Sequence, residues 1–180
     1  SMAHFAPEKA GIWSYPMAIP FDRREDFTPD KAWYDEMASG EATIFNLVNG
    51  MCGTLYQSGR IDLADEKNLA LVKEGIAAYK KMRTDILSAH PIVPISPEKV
   101  QIGTYGNAAA GLETADKAKA YLAVWRIGTD SDTVHVDLTK YGYTKAQPWY
   151  PAACDCTFAD GVLTVHLPEK FSARMILLTK

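Results

Sequence analysis

The chain has 180 residues, room for one large domain or two small ones. Nineteen Lys+Arg against 22 Asp+Glu leave a net charge of −3, which argues against a dominant phosphate-binding surface and so against a nucleic-acid partner. At 47% hydrophobic and 23% charged the composition supports a buried core and not disorder, and no apolar run is long enough to span a bilayer, so no membrane partner is expected.

Ser1-Met2-Ala3 reads as a cloning remnant, an initiator-type Met displaced by an extra Ser, with no signal peptide after it. From His4 to Glu36 the chain reads as irregular. Pro7, Pro16, Pro20 and Pro29 interrupt it, and its apolar clusters are short. A loop of that length suggests a segment lying on a surface supplied by something else. From Glu41 to Met51 the pattern turns helical, with Ile44, Leu47, Val48 and Met51 spaced i, i+3, i+4, i+7. Gly53 to Gly59 follows as a short strand ending at a glycine. Asp65 to Leu87 is the strongest helix: Asp65 caps the first turn, Glu66 suits the helix dipole, and Leu69, Val72, Ile76, Tyr79 and Ile86 form one stripe. Three prolines from Pro91 to Pro97 read as a stiff extended linker, which places a domain boundary there: residues 1–97, then 98–180.

After Pro97 the period becomes two. Expected strands are Val100–Tyr105, Ala120–Ile127, Thr133–Leu138, Ala153–Phe158, Val162–Leu167 and Ala173–Leu178. Ala159-Asp160-Gly161 is a hairpin turn between two of them. Short strands joined by turns, with no helical pattern, read as an antiparallel β-sandwich.

The chemistry-bearing residues are sparse. Cys154-x-Cys156 would place both thiols on one side of a strand, and a four-ligand metal site would also need Cys52 and His166; no second paired motif supports it, so packing cysteines are preferred and no metal is assigned. Three cysteines cannot all pair within one chain. Read as free thiols, they point to a reducing, cytoplasmic-type compartment. His4, His90, His135 and His166 are scattered and read as solvent-facing. The acid pairs Asp22 with Glu25 and Asp26, Asp35 with Glu36, Asp65 with Glu66, and Asp130 with Asp132 all sit in turns, helix starts or polar loops, where solvated charge is the simpler role. No catalytic set is assigned and no cofactor motif is found. The aromatics say more: Trp13 and Tyr15 in a Pro-rich loop, and Trp149-Tyr150-Pro151 between strands, offer rings that could stack on sugars or anchor one domain on another.

Pro7-Glu-Lys-Ala-Gly-Ile-Trp-Ser-Tyr-Pro16 resembles a loop of the melibiase-type α-galactosidases, retaining glycoside hydrolases of the α-galactosidase superfamily. The resemblance continues in Phe45-Asn-Leu-Val-Asn-Gly-Met51, Gly53-Thr-Leu-Tyr-Gln-Ser-Gly59, and Asp65 to Gly75 with Tyr79-Lys80. It extends through Tyr121-Leu-Ala-Val-Trp-Arg126, Trp149-Tyr-Pro151 and Ala173-Arg-Met-Ile-Leu-Leu178. It implies an α+β chain: the helical remnant of a (β/α)8 barrel end, followed by an antiparallel β-sandwich. Gly53–Gly59 would be the last barrel strand and Asp65–Leu87 the last barrel helix. The family's nucleophile and acid/base aspartates lie on earlier strands, so no catalytic residue carries over. Trp13, Gln57 and Ser58 would line the sugar pocket of a full-length parent, whose chemistry needs no metal. The stretch Asp22–Asp35 departs from the family, being longer and more charged than the connection found there.

The leading reading is therefore a C-terminal, non-catalytic portion of an α-galactosidase, inactive alone, whose partner is the rest of its barrel. A second reading is a carbohydrate-binding sandwich holding sugar through Trp149, Tyr150 or Tyr105. A third is a structural domain that shields the barrel or mediates homo-oligomers. An exposed aromatic platform would favour the second; the same rings buried under the Asp65 helix would favour the third.

Overall fold

A computed structural model of the chain describes residues 9–17, 28–96 and 106–180. The expected strand Val100–Tyr105 and the acids Asp22, Glu25 and Asp26 lie outside the described residues. The N-terminal stretch read as irregular holds two elements. Gly11–Ser14 is a strand, β1, and Lys31–Met37 is a helix, α1. Asp30 caps α1, its carboxylate accepting from the Trp33 N–H at 2.9 Å, and the helix buries Trp33 and Met37 beside Met17. Helix α2, Glu41–Met51, matches its expected bounds. Strand β2 is Thr54–Gln57, and α3 is Glu66–Met82, capped by Asp65, which accepts from the Asn68 N–H at 2.7 Å. Helix α3 stops five residues short of Leu87, and its buried stripe is Asn68, Val72, Gly75, Ala78 and Met82, with Ile76 and Tyr79 at its margin.

Strands β1 and β2 pair in parallel, Gly11 opposite Thr54 through Ser14 opposite Gln57. A parallel pair needs a crossover, and α2 supplies it. The remaining strands are antiparallel. They are β3 (His90–Ile95), β4 (Asn107–Glu113), β5 (Lys119–Arg126), β6 (Thr133–Asp137), β7 (Lys145–Tyr150), β8 (Cys156–Ala159), β9 (Val162–His166) and β10 (Ser172–Thr179). They form a five-stranded sheet in the order β3-β4-β5-β10-β7 and a three-stranded sheet in the order β6-β9-β8. The chain is thus α+β with a sandwich-like arrangement of sheets.

Three of the antiparallel strands also escaped the sequence reading, for identifiable reasons. The segment taken as a linker is, as far as Ile95, the edge strand β3, with Pro91 opposite Leu112. Proline lacks the N–H that a central strand requires, but an edge strand tolerates it. Strand β4 reads Asn-Ala-Ala-Ala-Gly-Leu-Glu, without the branched residues that mark a strand. Gly111 is needed there, because a Cβ would stand 2.3 Å from the Tyr121 carbonyl of β5. Strand β7 is the other edge and carries Pro148. The expected hairpin forms: Ala159 pairs with Val162, and Asp160 and Gly161 both take positive φ, 50° and 77°, as a two-residue turn requires.

Helix α2 lies between the parallel pair and the five-stranded sheet. Gly50 lets it close on β1 and β2, since a Cβ there would stand 2.2 Å from Leu55 and 3.1 Å from Ser14. On its other side Ile44, Leu47, Val48 and Met51 share one core with Ala173 and Met175 of β10 and with Val72 and Met82 of α3. Strand β10 alternates: Ala173, Met175 and Leu177 join this core, while Ile176 and Leu178 join the second, between the two sheets, with Val136, Leu163 and Val165. Burial on both faces explains its unbroken apolar run.

The start of α2 is fixed by charge. Arg174 of β10 donates Nη1 to Glu41 Oε2 at 2.7 Å and Nη2 to Glu41 Oε1 at 2.8 Å, with side chains only 7% and 10% exposed. This fork also links residues 133 apart in sequence. Farther along the same interface Trp125 donates to Asn49 at 2.7 Å, and Tyr121 donates to Asp85 at 2.6 Å. Burial pulls the Asp85 carboxyl upward, but the hydrogen bonds from Lys119 and Tyr121 prevail and hold it below the usual carboxylate range.

Two predictions follow from this docking. Arg174→Met or Glu41→Leu alone should cost about 3–5 kcal/mol in denaturant melts, because each strands a buried charge, whereas the double substitution should recover most of the loss. A double mutant as damaged as the sum of the singles would remove the pair as the cause. Asp85 should contribute stability that is complete above the ordinary carboxylate pKa, about 4, and lost as pH falls through its lower folded value. Asp85→Asn should therefore flatten the acid limb of the stability profile between about pH 5 and pH 2; an unchanged limb would count against the assignment.

Candidate functional site

The parallel pair has two unlike faces. Ile12 and Leu55, opposite each other in register, turn toward α2 and its core. Trp13 and Tyr56, the next register pair, turn the other way, 60% and 51% exposed. Trp13 stacks between Tyr15 at 6.1 Å and 14° and Tyr56 at 5.9 Å and 27°. Gly11 makes room below, because a Cβ there would stand 2.6 Å from the Tyr56 ring. Trp13, expected in a loop, therefore sits in a strand, where period-two alternation and not loop rigidity aims its ring. Tyr56 was not singled out from sequence. Its signal was the same alternation, Leu55 in and Tyr56 out.

At the carboxyl ends of the two strands the backbone pairing continues, with Ser58 N–H donating to Ser14 O at 2.8 Å. Gln57 donates Nε2 to Ser58 O at 2.5 Å and to Ser14 O at 3.4 Å, so its amide braces the two strand ends. Gly59, at φ 92°, lets the chain turn over β1; a Cβ there would stand 2.2 Å from Pro16 O. Beyond it Arg60 grips Asp62 with Nε at 2.8 Å and Nη2 at 2.6 Å, and this bond holds the exposed Asp62 carboxyl below its usual range. Two buried polar atoms at these strand ends, Ser14 Oγ and Gln57 Oε1, have no hydrogen-bond partner among the described residues. Parallel sheets bind their ligands outside the carboxyl ends of their strands. Trp13, Gln57 and Ser58 all lie toward the carboxyl end of the pair, Trp13 stacked with Tyr15 and Tyr56 and the Gln57 amide spent on the backbone.

The other candidates are dispersed. Tyr150 is fully buried; its hydroxyl donates to Leu71 O at 3.1 Å, and its ring lies against Gly75 of α3. It offers no face to a sugar, which corrects its reading as a stacking residue. Trp149 is half-buried and meets Tyr121 edge to face at 5.1 Å. Tyr105 lies outside the described residues. Cys52 packs in the core between helices and sheet, whereas Cys154 and Cys156 pack against the core between the sheets, and His166 pairs with Asp132 at 3.3 Å. The four-ligand set is therefore not assembled, and the described residues contain no cluster of three or more His, Cys, Asp or Glu able to hold a metal. Four of the described carboxylates are committed elsewhere: Asp35 to Lys31, Asp65 to its helix cap, Asp130 to Lys170, and Glu41 to Arg174.

No protein-family model matches the sequence, and no curated protein matches it. The fold does match solved structures. The galactosidase domain of the α-galactosidase–sucrose kinase AgaSK aligns at a TM-score of 0.60 and 18% identity, over 94% of this chain and 22% of that one. The chain has the fold of one portion of an α-galactosidase. GH36 α-galactosidase AgaA from Geobacillus stearothermophilus, solved with stachyose, aligns at 0.53 and 16% identity over 94% of this chain and 21% of that one. The α-galactosidase from Lactobacillus brevis aligns at 0.53 and 16% identity over 97% and 23%. The chain thus spans about a fifth of the length of each structure, in line with the resemblance read from its motifs.

The two kinds of aromatic should separate under substitution. Trp13→Ala should lower stability by no more than about 1 kcal/mol, because its ring is mostly exposed. Tyr150→Ala should cost about 3–5 kcal/mol, because it empties a fully buried site. Melting both variants in urea tests this, and equal losses would show that the exposed stack is part of the folding core.

Proposed function

We propose that this chain is the C-terminal portion of a GH36-type α-galactosidase. In this reading β1-α2-β2-α3 are the last two strand–helix units of its (β/α)8 barrel, and the antiparallel sheets are its C-terminal sandwich. One observation carries the proposal. The parallel pair is covered by helix on one face only and leaves Trp13 and Tyr56 bare on the other. Parallel sheets are ordinarily buried on both faces. The bare face and the two open edges of the pair are what neighbouring barrel strands would cover.

The rest of the barrel is then the partner, and its earlier strands supply the two carboxylates that retaining hydrolysis of a terminal α-galactoside requires. This portion supplies shape. Trp13 and Ser58 line the sugar pocket from one side, while Gln57 keeps the strand ends in register. The sandwich acts as a support for the barrel and not as a sugar-binding module, a reading favoured by the burial of Tyr150 beneath α3.

The purified 180-residue chain should release no nitrophenol from p-nitrophenyl α-galactoside. The polypeptide extended upstream through a complete barrel should do so. Trp13→Ala in that longer protein should lower kcat/KM by about tenfold, with an unchanged melting point. Turnover by the short chain, abolished by replacing one of its own carboxylates, would overturn the proposal. A lowered melting point with intact kinetics would leave Trp13 as packing only.

A further inference from the structure

We propose that the Tyr79 hydroxyl takes the place of one residue of a neighbouring strand on the open edge of β2, and so fixes the register of the strand that pairs there. The observation is a pair of hydrogen bonds. Tyr79 of α3 donates to Gly53 O at 3.0 Å, and its oxygen accepts from the Leu55 N–H at 3.2 Å. On the other edge of β2, Thr54 N–H donates to Ala10 O at 2.8 Å and Ser58 N–H to Ser14 O at 2.8 Å, so Thr54, Tyr56 and Ser58 turn their backbone groups toward β1. Successive residues alternate in that direction, and the groups of Gly53, Leu55 and Gln57 therefore face the edge that β1 leaves open.

In a parallel ladder one residue donates its N–H to a carbonyl of the neighbour and accepts, through its own C=O, from the N–H two residues farther along. Gly53 O and Leu55 N–H are such a set, centred on Thr54, and a single hydroxyl satisfies both. The next set is Leu55 O with Gln57 N–H, centred on Tyr56. A parallel strand added here starts its pairing opposite Tyr56 and not opposite Thr54, because Tyr79 already holds the first rung. Tyr79 does not swing aside freely, since its ring packs against the core of α2 and α3. Beside that rung a cleft of about 310 Å³ lies between the start of β2 and the end of α3, lined by Thr54, Tyr79, Arg83, Thr84, Ile86 and Leu87. It has room for the chain that leads into the added strand. The occupant is the first strand of the same barrel, which closure sets beside the last. That identity rests on the reading of this chain as a barrel end.

Amide hydrogen exchange resolved to single residues tests the register in the 180-residue chain and in the polypeptide extended upstream through a complete barrel. In the short chain the Leu55 amide should be protected and the Gln57 amide should not. In the longer protein Gln57 should become protected. Tyr79→Phe, which keeps the ring, should speed Leu55 exchange by about tenfold in both proteins. Leu55 protection that survives Tyr79→Phe in either protein would show that the hydroxyl does not hold the first rung. Gln57 left unprotected in the longer protein would show that no strand pairs opposite Tyr56. Either result sinks the proposal, and the Gln57 comparison needs no variant to fold. Release of nitrophenol from p-nitrophenyl α-galactoside is scored separately. An active longer protein with either adverse exchange result keeps the barrel reading and loses the register. An inactive one with both expected exchange results loses the galactosidase reading and keeps the register.

Discussion

The placement of α2 governs the rest of the molecule. This helix is buried on two sides: by the parallel pair at Gly50 and by the five-stranded sheet at Leu47, Val48 and Met51. Its apolar residues would tolerate sliding along the sheet, because hydrophobic contact is not directional. The Glu41–Arg174 fork is directional. It sets one end of α2 against one residue of β10, and the Trp125–Asn49 bond sets the other end. Buried charge is a poor source of net stability but a good source of register, because any shifted arrangement leaves a charge without its partner.

With α2 held, the parallel pair can take only one orientation. The face carrying Ile12 and Leu55 meets the helix, and the face carrying Trp13 and Tyr56 is left outward with its three stacked rings. The antiparallel sheets have no such imbalance. Strand β10 is covered on both sides, and the edges of its sheet are blunted by the prolines of β3 and β7. One side of the molecule is therefore finished, while the other displays an aromatic surface on a sheet type that is seldom bare. The likeness to about a fifth of much longer α-galactosidases fits that asymmetry.

Much of this was legible in the residues. The periodicity of Glu41–Met51, the Asp65 cap and the Asp160–Gly161 turn are local signals, and each formed as read, because caps and tight turns are decided by neighbours within a few residues. The same holds for β6, β9 and β10, whose apolar patterns are strong. Strands β3, β4 and β7 were not legible, since prolines and alanines carry little strand preference of their own. They become strands because β5 offers a hydrogen-bonding edge to β4, β4 to β3 and β10 to β7, and an edge is a property of the assembled sheet.

The site divides along the same line. The family resemblance grouped Trp13, Gln57 and Ser58, and no catalytic set of recognisable spacing was assigned from the sequence. It did not assign their directions. That Trp13 points away from α2, that Gln57 spends its amide on the strand ends, and that Tyr150 disappears beneath Gly75 depend on which face of each strand met the helix layer. Side-chain direction in a strand alternates with every residue, so one long-range choice of packing face determines all of them at once. The residues specified the elements and their chemistry; only the docking of α2 between two sheets decided which rings face outward and which hold the core.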